Sequence, residues 1–114
     1  MKKPIGSQGS WFARFEGVEF PCVHRHWYEP GKYHDPHVRP GTRQWDKYVA
    51  RIRDLGYVIL TNDIVPDNTE DGTFKRTSYI AIFEATDVRL EGADLTFSML
   101  RRIEFADWSG SAIR

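Results

Sequence analysis

The chain has 114 residues, the length of one domain, and its 40% apolar and 28% charged residues exclude a disordered or low-complexity protein. Its 16 basic and 16 acidic residues give a formal net charge of zero, which argues against a strong non-specific binder of polyanions. The two halves differ: residues 1–53 carry ten basic and five acidic side chains, whereas residues 54–114 carry six basic and eleven acidic ones.

The first predicted element is a β-hairpin. Residues 10–15 and 18–27 alternate aromatic or β-branched side chains with polar ones, a pattern typical of strands. Glu16 and Gly17 supply the turn between them. We expect residues 1–9 to form a flexible N-terminal segment before this hairpin.

The clearest pattern in the chain predicts an amphipathic helix over residues 42–55. Apolar side chains recur at spacings of three and four, which places them on one stripe of a helix. Thr42 is the predicted N-cap and Gly56 the predicted C-terminal stop. The residues of the stripe are Trp45, Tyr48, Val49, Ile52 and Leu55.

The helix is followed at once by a predicted strand over residues 57–65. Its first four residues are continuously apolar, which favours an inner strand buried on both faces. Further strands are predicted over 79–83, 88–90 and 95–105, where apolar and polar residues alternate.

One helix among five or six strands predicts an α+β fold. We expect a single domain over residues 10–108, built as a mostly antiparallel curled sheet or a half-open small barrel, and a C-terminal tail over 109–114. Two predicted loops, 29–41 and 66–77, are longer than ordinary connections. Loops of this length usually have a function, so we expect any site to border them.

All four histidines lie in one short stretch of the chain. If residues 18–27 form a strand, Cys22, His24 and His26 point to the same face, where two imidazoles can share a metal ion. The following loop can return further ligands for a zinc-type site. The predicted metal ligands are His24, His26, His34, Asp35 and His37.

The basic half of the chain is also rich in aromatic residues. Rings that stack on bases, beside cations that neutralise phosphates, are typical of nucleic-acid and nucleotide binding. Because the helix stripe takes Trp45 and Tyr48 into the core, we expect the exposed rings to be those that flank the loop 29–41. The predicted ligand-binding residues are Arg25, Trp27, Tyr28, Lys32, Tyr33, Arg39 and Arg43.

The sequence contains none of the motifs GxSxG, Walker A, GxGxxG or HExxH, so we name no catalytic residue. The overlap of rings, cations and a long loop favours a small binding module with a pocket for nucleic acid or a nucleotide-like planar anion. One alternative is a metal-dependent hydrolase, in which the histidine cluster holds a divalent ion whose bound water is the nucleophile. Another is a protein–protein interaction or assembly domain, in which edge strands and aromatic residues meet a partner.

The lone cysteine, Cys22, excludes an internal disulfide and fits a reducing compartment, where we expect an inert core thiol. No apolar run approaches the roughly 18 residues of a membrane-spanning helix. The basic start of the chain is followed by small polar residues rather than by the apolar run of a secretory signal. The sequence therefore predicts a cytoplasmic protein with no membrane partner.

Overall fold

The computed structural model describes residues 4–6, 11–36, 38–39, 41–64 and 75–109. The elements in chain order are β1 (Phe12–Phe15), β2 (Val18–His24), a 3₁₀ turn (Arg25–Trp27), β3 (Tyr28–Glu29), β4 (Lys32–Asp35), α1 (Arg43–Leu55), β5 (Tyr57–Ile64), β6 (Lys75–Glu91), β7 (Asp94–Ile103) and a second 3₁₀ turn (Phe105–Asp107).

The strands form one seven-stranded sheet in the order β1-β2-β5-β6-β7-β4-β3. All neighbours are antiparallel except β2 and β5, which run parallel with Cys22 opposite Ile59. A parallel pair needs a crossover connection, and α1 lies on the connection between these two strands. The α+β class is confirmed. The prediction of a mostly antiparallel curled sheet or half-open barrel of five or six strands is correct only in part: the described strands form a mixed sheet of seven, which is not closed.

The predicted helix is confirmed as α1. The helix ends at Leu55, and the next residue, Gly56, caps it with a φ of 75° and an N–H that donates to the carbonyl of Ile52 over 3.0 Å. Thr42 occupies the N-cap position, but its hydroxyl donates to the carbonyl of Arg39 rather than capping a helix N–H.

None of the helices in the described part of the chain has the length and apolarity needed to span a bilayer.

The inner strand β5 is buried on both faces, as its apolar run predicts. Val58 and Leu60 belong to a core cluster that also contains Tyr48, Val49 and Ile52 of α1. Tyr57 and Ile59 point to the opposite face and pack in a second cluster. Trp108, after the C-terminal 3₁₀ turn, packs against this second cluster, so the sheet carries apolar packing on both sides.

The structure corrects three predicted elements. The strand predicted over 18–27 ends at His24, and the next three residues form the 3₁₀ turn. The predicted loop 29–41 contains the β3–β4 hairpin, because Pro30 followed by Gly31, with a φ of 86°, makes a tight turn. The separate strands predicted over 79–83 and 88–90 are parts of one strand, β6, which is bent by register irregularities rather than interrupted.

Part of the predicted N-terminal segment pairs with the sheet. The backbone of Ile5 exchanges two hydrogen bonds of 2.8 Å with Arg14 on β1. This contact covers a stretch of the outer edge of β1.

Candidate functional site

The candidate site lies at the end of β2, beside the parallel strand β5. His24 is opposite Thr61 in the parallel register, and the 3₁₀ turn follows His24 directly. The Thr61 hydroxyl is fully buried and donates to the carbonyl of Val23 over 3.1 Å, which ties the end of β2 to β5. Carboxyl ends of neighbouring parallel strands are the common place for ligand sites in open sheets.

The 3₁₀ turn presents a cation beside a group of rings. Arg25 and His26 are exposed and Trp27 is half-buried. The Trp27 ring is met edge-on by both neighbouring imidazoles: its centroid lies 5.5 Å from that of His24 and 6.0 Å from that of His26. Arg25 donates from Nη1 to Oδ1 of Asn62 over 3.3 Å, so its guanidinium lies beside β5.

Tyr28 extends this surface across the sheet. Its half-buried ring contacts Phe83 of β6, with 5.5 Å between the ring centroids. We call Arg25, His26, Trp27 and Tyr28 the turn surface. The sequence predicted three of its four members as ligand-binding residues and placed the fourth, His26, among the metal ligands.

The sequence did not single out Arg102, which the structure places opposite Phe83, the residue that the Tyr28 ring contacts. Arg102 lies directly opposite Phe83 in the β6–β7 register, and opposite residues of an antiparallel pair project from the same face. Its guanidinium pairs with the carboxylate of Glu104, with 2.8 Å from Nε to Oε1 and 3.5 Å from Nη2 to Oε2. Only the pairing of β6 with β7, which single-sequence patterns do not specify, brings Arg102 to this place.

The expectation that Tyr33 is exposed is wrong. Tyr33 is 0% exposed, because it lies opposite Phe97 of β7 and the two rings stack inside the core at 4.9 Å. Its hydroxyl accepts the backbone N–H of His24 over 3.1 Å, so it supports the start of the turn from within. Lys32, one residue earlier, is exposed and lies opposite Glu29.

The remaining predicted ligand-binding residues, Arg39 and Arg43, lie on a different element. Both are exposed and flank the start of α1. The carbonyl of Arg39 accepts the Thr42 hydroxyl over 2.9 Å and the Thr42 N–H over 3.4 Å, which shapes the entry to the helix. The predicted ligand-binding residues are therefore divided between the turn surface with β4 and the start of the helix.

The predicted metal ligands take up divergent positions. His26 lies in the 3₁₀ turn, so the expectation that it shares one face of a strand with Cys22 and His24 is wrong. His34 is exposed, with Nε2 3.1 Å from Oδ1 of Asp94, whereas the next residue, Asp35, is buried. Adjacent residues on a strand face opposite sides.

Among the residues that the structure describes, no three His, Cys, Asp or Glu side chains lie together in a group that could hold a metal ion. His37 lies outside the described residues. Cys22 is 2% exposed in the second core cluster, which confirms its expected place in the core.

A shallow depression of about 440 Å³ lies elsewhere, between the β1–β2 hairpin and the C-terminal half of α1. Two basic side chains, Arg14 and Arg51, and two acidic ones, Glu19 and Asp54, line it. Arg51 is engaged there, since its Nε donates to the carbonyl of Glu19 over 2.9 Å. This balance of charges favours neither an anionic nor a cationic ligand.

Comparison of the chain with models of known protein families, with curated proteins and with solved structures finds no match. The function is therefore inferred from the chemistry of the turn surface and the residues that hold it.

Proposed function

We propose that this protein is a small binding module that binds nucleic acid, or a nucleotide-like planar anion, on the turn surface. The observation that carries the proposal is the exposed Arg25 and His26 beside the half-buried Trp27, on a turn that follows the end of β2 and contacts β5. The proposal assigns no catalytic step to the protein.

Each member of the turn surface has a role that its chemistry supports. A base presents a flat face that stacks on an indole or phenol ring, and such stacking contributes about 1–3 kcal/mol per base. The guanidinium of Arg25 donates hydrogen bonds that match a phosphate group. Because bases in a duplex are already stacked, an unpaired base or a single strand is the form that reaches these rings.

The surface is held in place by interactions with the sheet. Asn62 orients Arg25, the two imidazoles brace the Trp27 ring, and the Tyr33 hydroxyl fixes the backbone where the turn begins. A surface ordered before binding loses less conformational entropy when the ligand arrives. With a net charge of zero, the attraction comes from these local cations rather than from the field of the whole protein.

Fluorescence anisotropy with a labelled single-stranded oligonucleotide of mixed sequence, at low ionic strength, tests the proposal. We expect Arg25→Ala to weaken binding about tenfold, the effect of losing one charge-assisted hydrogen bond. Arg89→Ala is the matched control, because Arg89 is also exposed but pairs with Asp87 at 3.2 Å on another part of β6. The control variant should bind like the wild type.

Competition by an unlabelled mononucleotide then separates the two forms of the ligand. A mononucleotide that displaces the probe at comparable concentration identifies a nucleotide site, whereas displacement only by oligonucleotides identifies a nucleic-acid site. Absence of oligonucleotide and mononucleotide binding at low salt would refute the proposal. So would equal losses for Arg25→Ala and Arg89→Ala.

A further inference from the structure

We infer that Arg102 is a second phosphate-binding residue, that Glu104 competes with the ligand for it, and that the ligand is consequently an oligonucleotide with several phosphates. This inference rests on the proposed function of the turn surface. Arg102 and Glu104 would then decide which class of ligand the turn surface binds.

The position of Arg102 follows from the register of β6 and β7. Phe83 and Arg102 are opposite each other, and the next pair, Ile82 and Ile103, projects to the other face, where both side chains join the second core cluster. Arg102 therefore leaves the sheet on the same face as Phe83, whose ring is covered by Tyr28. A ligand stacked on the turn surface at Tyr28 would lie beside this guanidinium.

The ion pair with Glu104 orients Arg102 but is weak. The two side chains are 50% and 54% exposed, and exposed pairs contribute at most about 1 kcal/mol. A guanidinium has five N–H donors, and the two contacts to Glu104 use one on Nε and one on Nη2. Donors remain for a phosphate, and a phosphate can also displace the carboxylate, because a planar guanidinium matches both anions.

The separation of the two arginines selects the ligand. Arg25 donates to Asn62, four positions along β5 from Val58, which is itself opposite Phe83. Four residues of strand span about 13 Å, and Arg102 lies on β7, two strands away from β5. One phosphate group does not extend over such a distance, so a ligand that contacts both arginines carries phosphates along a chain.

The experiment measures the affinity of three single-stranded probes, a mononucleotide, a trinucleotide and an octanucleotide, for the wild type and for variants of the pair. We expect Glu104→Gln to strengthen octanucleotide binding about threefold, since it removes both the competitor and a repelling charge. Arg102→Ala should weaken octanucleotide binding about fivefold and mononucleotide binding less, since one phosphate does not reach both arginines. Arg102→Lys keeps the charge but loses the planar guanidinium, so its affinity for the octanucleotide should lie between those of Arg102→Ala and the wild type.

A gain of affinity in Glu104→Gln cannot come from loss of folding, and the thermal unfolding of Arg102→Ala shows whether that variant remains folded. If Arg25→Ala weakens binding while Arg102→Ala and Glu104→Gln bind the octanucleotide like the wild type, the role of Arg102 is wrong and the proposed function stands. If the wild type binds none of the three probes, both proposals are wrong. Equal losses of mononucleotide and octanucleotide affinity in Arg102→Ala would contradict the selection for a longer ligand.

Discussion

The hydroxyl of Tyr33 on β4 accepts a hydrogen bond from the backbone N–H of His24 at the end of β2, with 3.1 Å between the two atoms. In the order of the sheet these strands are separated by β5, β6 and β7. A tyrosine side chain reaches across that gap only because the sheet curls strongly around its inner core. One buried ring therefore connects the far side of the sheet to the residue from which the turn surface starts.

Replacing Tyr33 by Phe should lower the free energy of unfolding by about 1–2 kcal/mol. The ring still stacks on Phe97, but the backbone N–H of His24 loses its acceptor in a partly buried position. Urea unfolding followed by circular dichroism measures the change. Tyr28→Phe is the control, since none of the hydrogen bonds in the described part of the chain involves the Tyr28 hydroxyl; equal stabilities of the two variants would contradict the role given to Tyr33.

Gly56→Ala should destabilise the protein by about 1 kcal/mol. Gly56 has a φ of 75°, where an L side chain is strained, although the added Cβ would meet only the Ala85 carbonyl oxygen at an ordinary 4.0 Å. The cost therefore comes from backbone conformation and not from a clash. Thermal unfolding measures it, and Gln44→Ala, an exposed change in the first turn of α1, should stay within about 0.5 kcal/mol of the wild type.

The affinity for a single-stranded oligonucleotide should fall as salt is raised. For single strands, the slope of log affinity against log salt concentration is about −0.7 for each phosphate contact that releases a counterion. Arg25→Ala should make this slope shallower by about 0.7, and Arg89→Ala should leave it unchanged. An affinity independent of salt would mean that stacking alone holds the ligand and that Arg25 does not bind phosphate.

Arg39 and Arg43 test whether the start of α1 belongs to the same binding surface. We expect the double variant Arg39→Ala with Arg43→Ala to weaken oligonucleotide binding, but less than Arg25→Ala does, since neither residue lies on the segment that carries the rings. The same anisotropy titration measures this. A loss larger than that of Arg25→Ala would move the centre of the site to the helix start.

Local patterns predicted the elements whose structure is set by neighbours in sequence. The stripe from Trp45 to Leu55 specifies α1 because a helix closes its own hydrogen bonds within a few residues. The apolar run at the start of β5 likewise indicates burial on both faces. A Pro–Gly pair such as Pro30–Gly31 is a known turn signal in sequence. The prediction of a loop over 29–41 did not take this signal into account.

The rest depends on pairing between distant residues. The alternation of residues 18–27 does not reveal that the strand stops at His24, since a 3₁₀ turn accepts the same residue types. Tyr33 and Trp27 are both aromatic, so residue type does not distinguish the buried ring from the half-buried one. Tyr33 is buried because its strand pairs in a register that places it opposite Phe97. In the same way, the pairing of β6 with β7 decides that a basic residue from the acidic half of the chain, Arg102, lies opposite Phe83, the residue that the Tyr28 ring contacts.

The parallel pairing of β2 with β5 also has a kinetic consequence. Cys22 and Ile59 are 37 residues apart, so this ladder forms only after a large loop has closed and α1 has folded over it. Until then, the apolar start of β5 is an open strand edge that another unfolded chain can join. Refolding should therefore be most vulnerable to aggregation before this strand finds its parallel neighbour, and the protein's yield should depend on chain concentration during that interval.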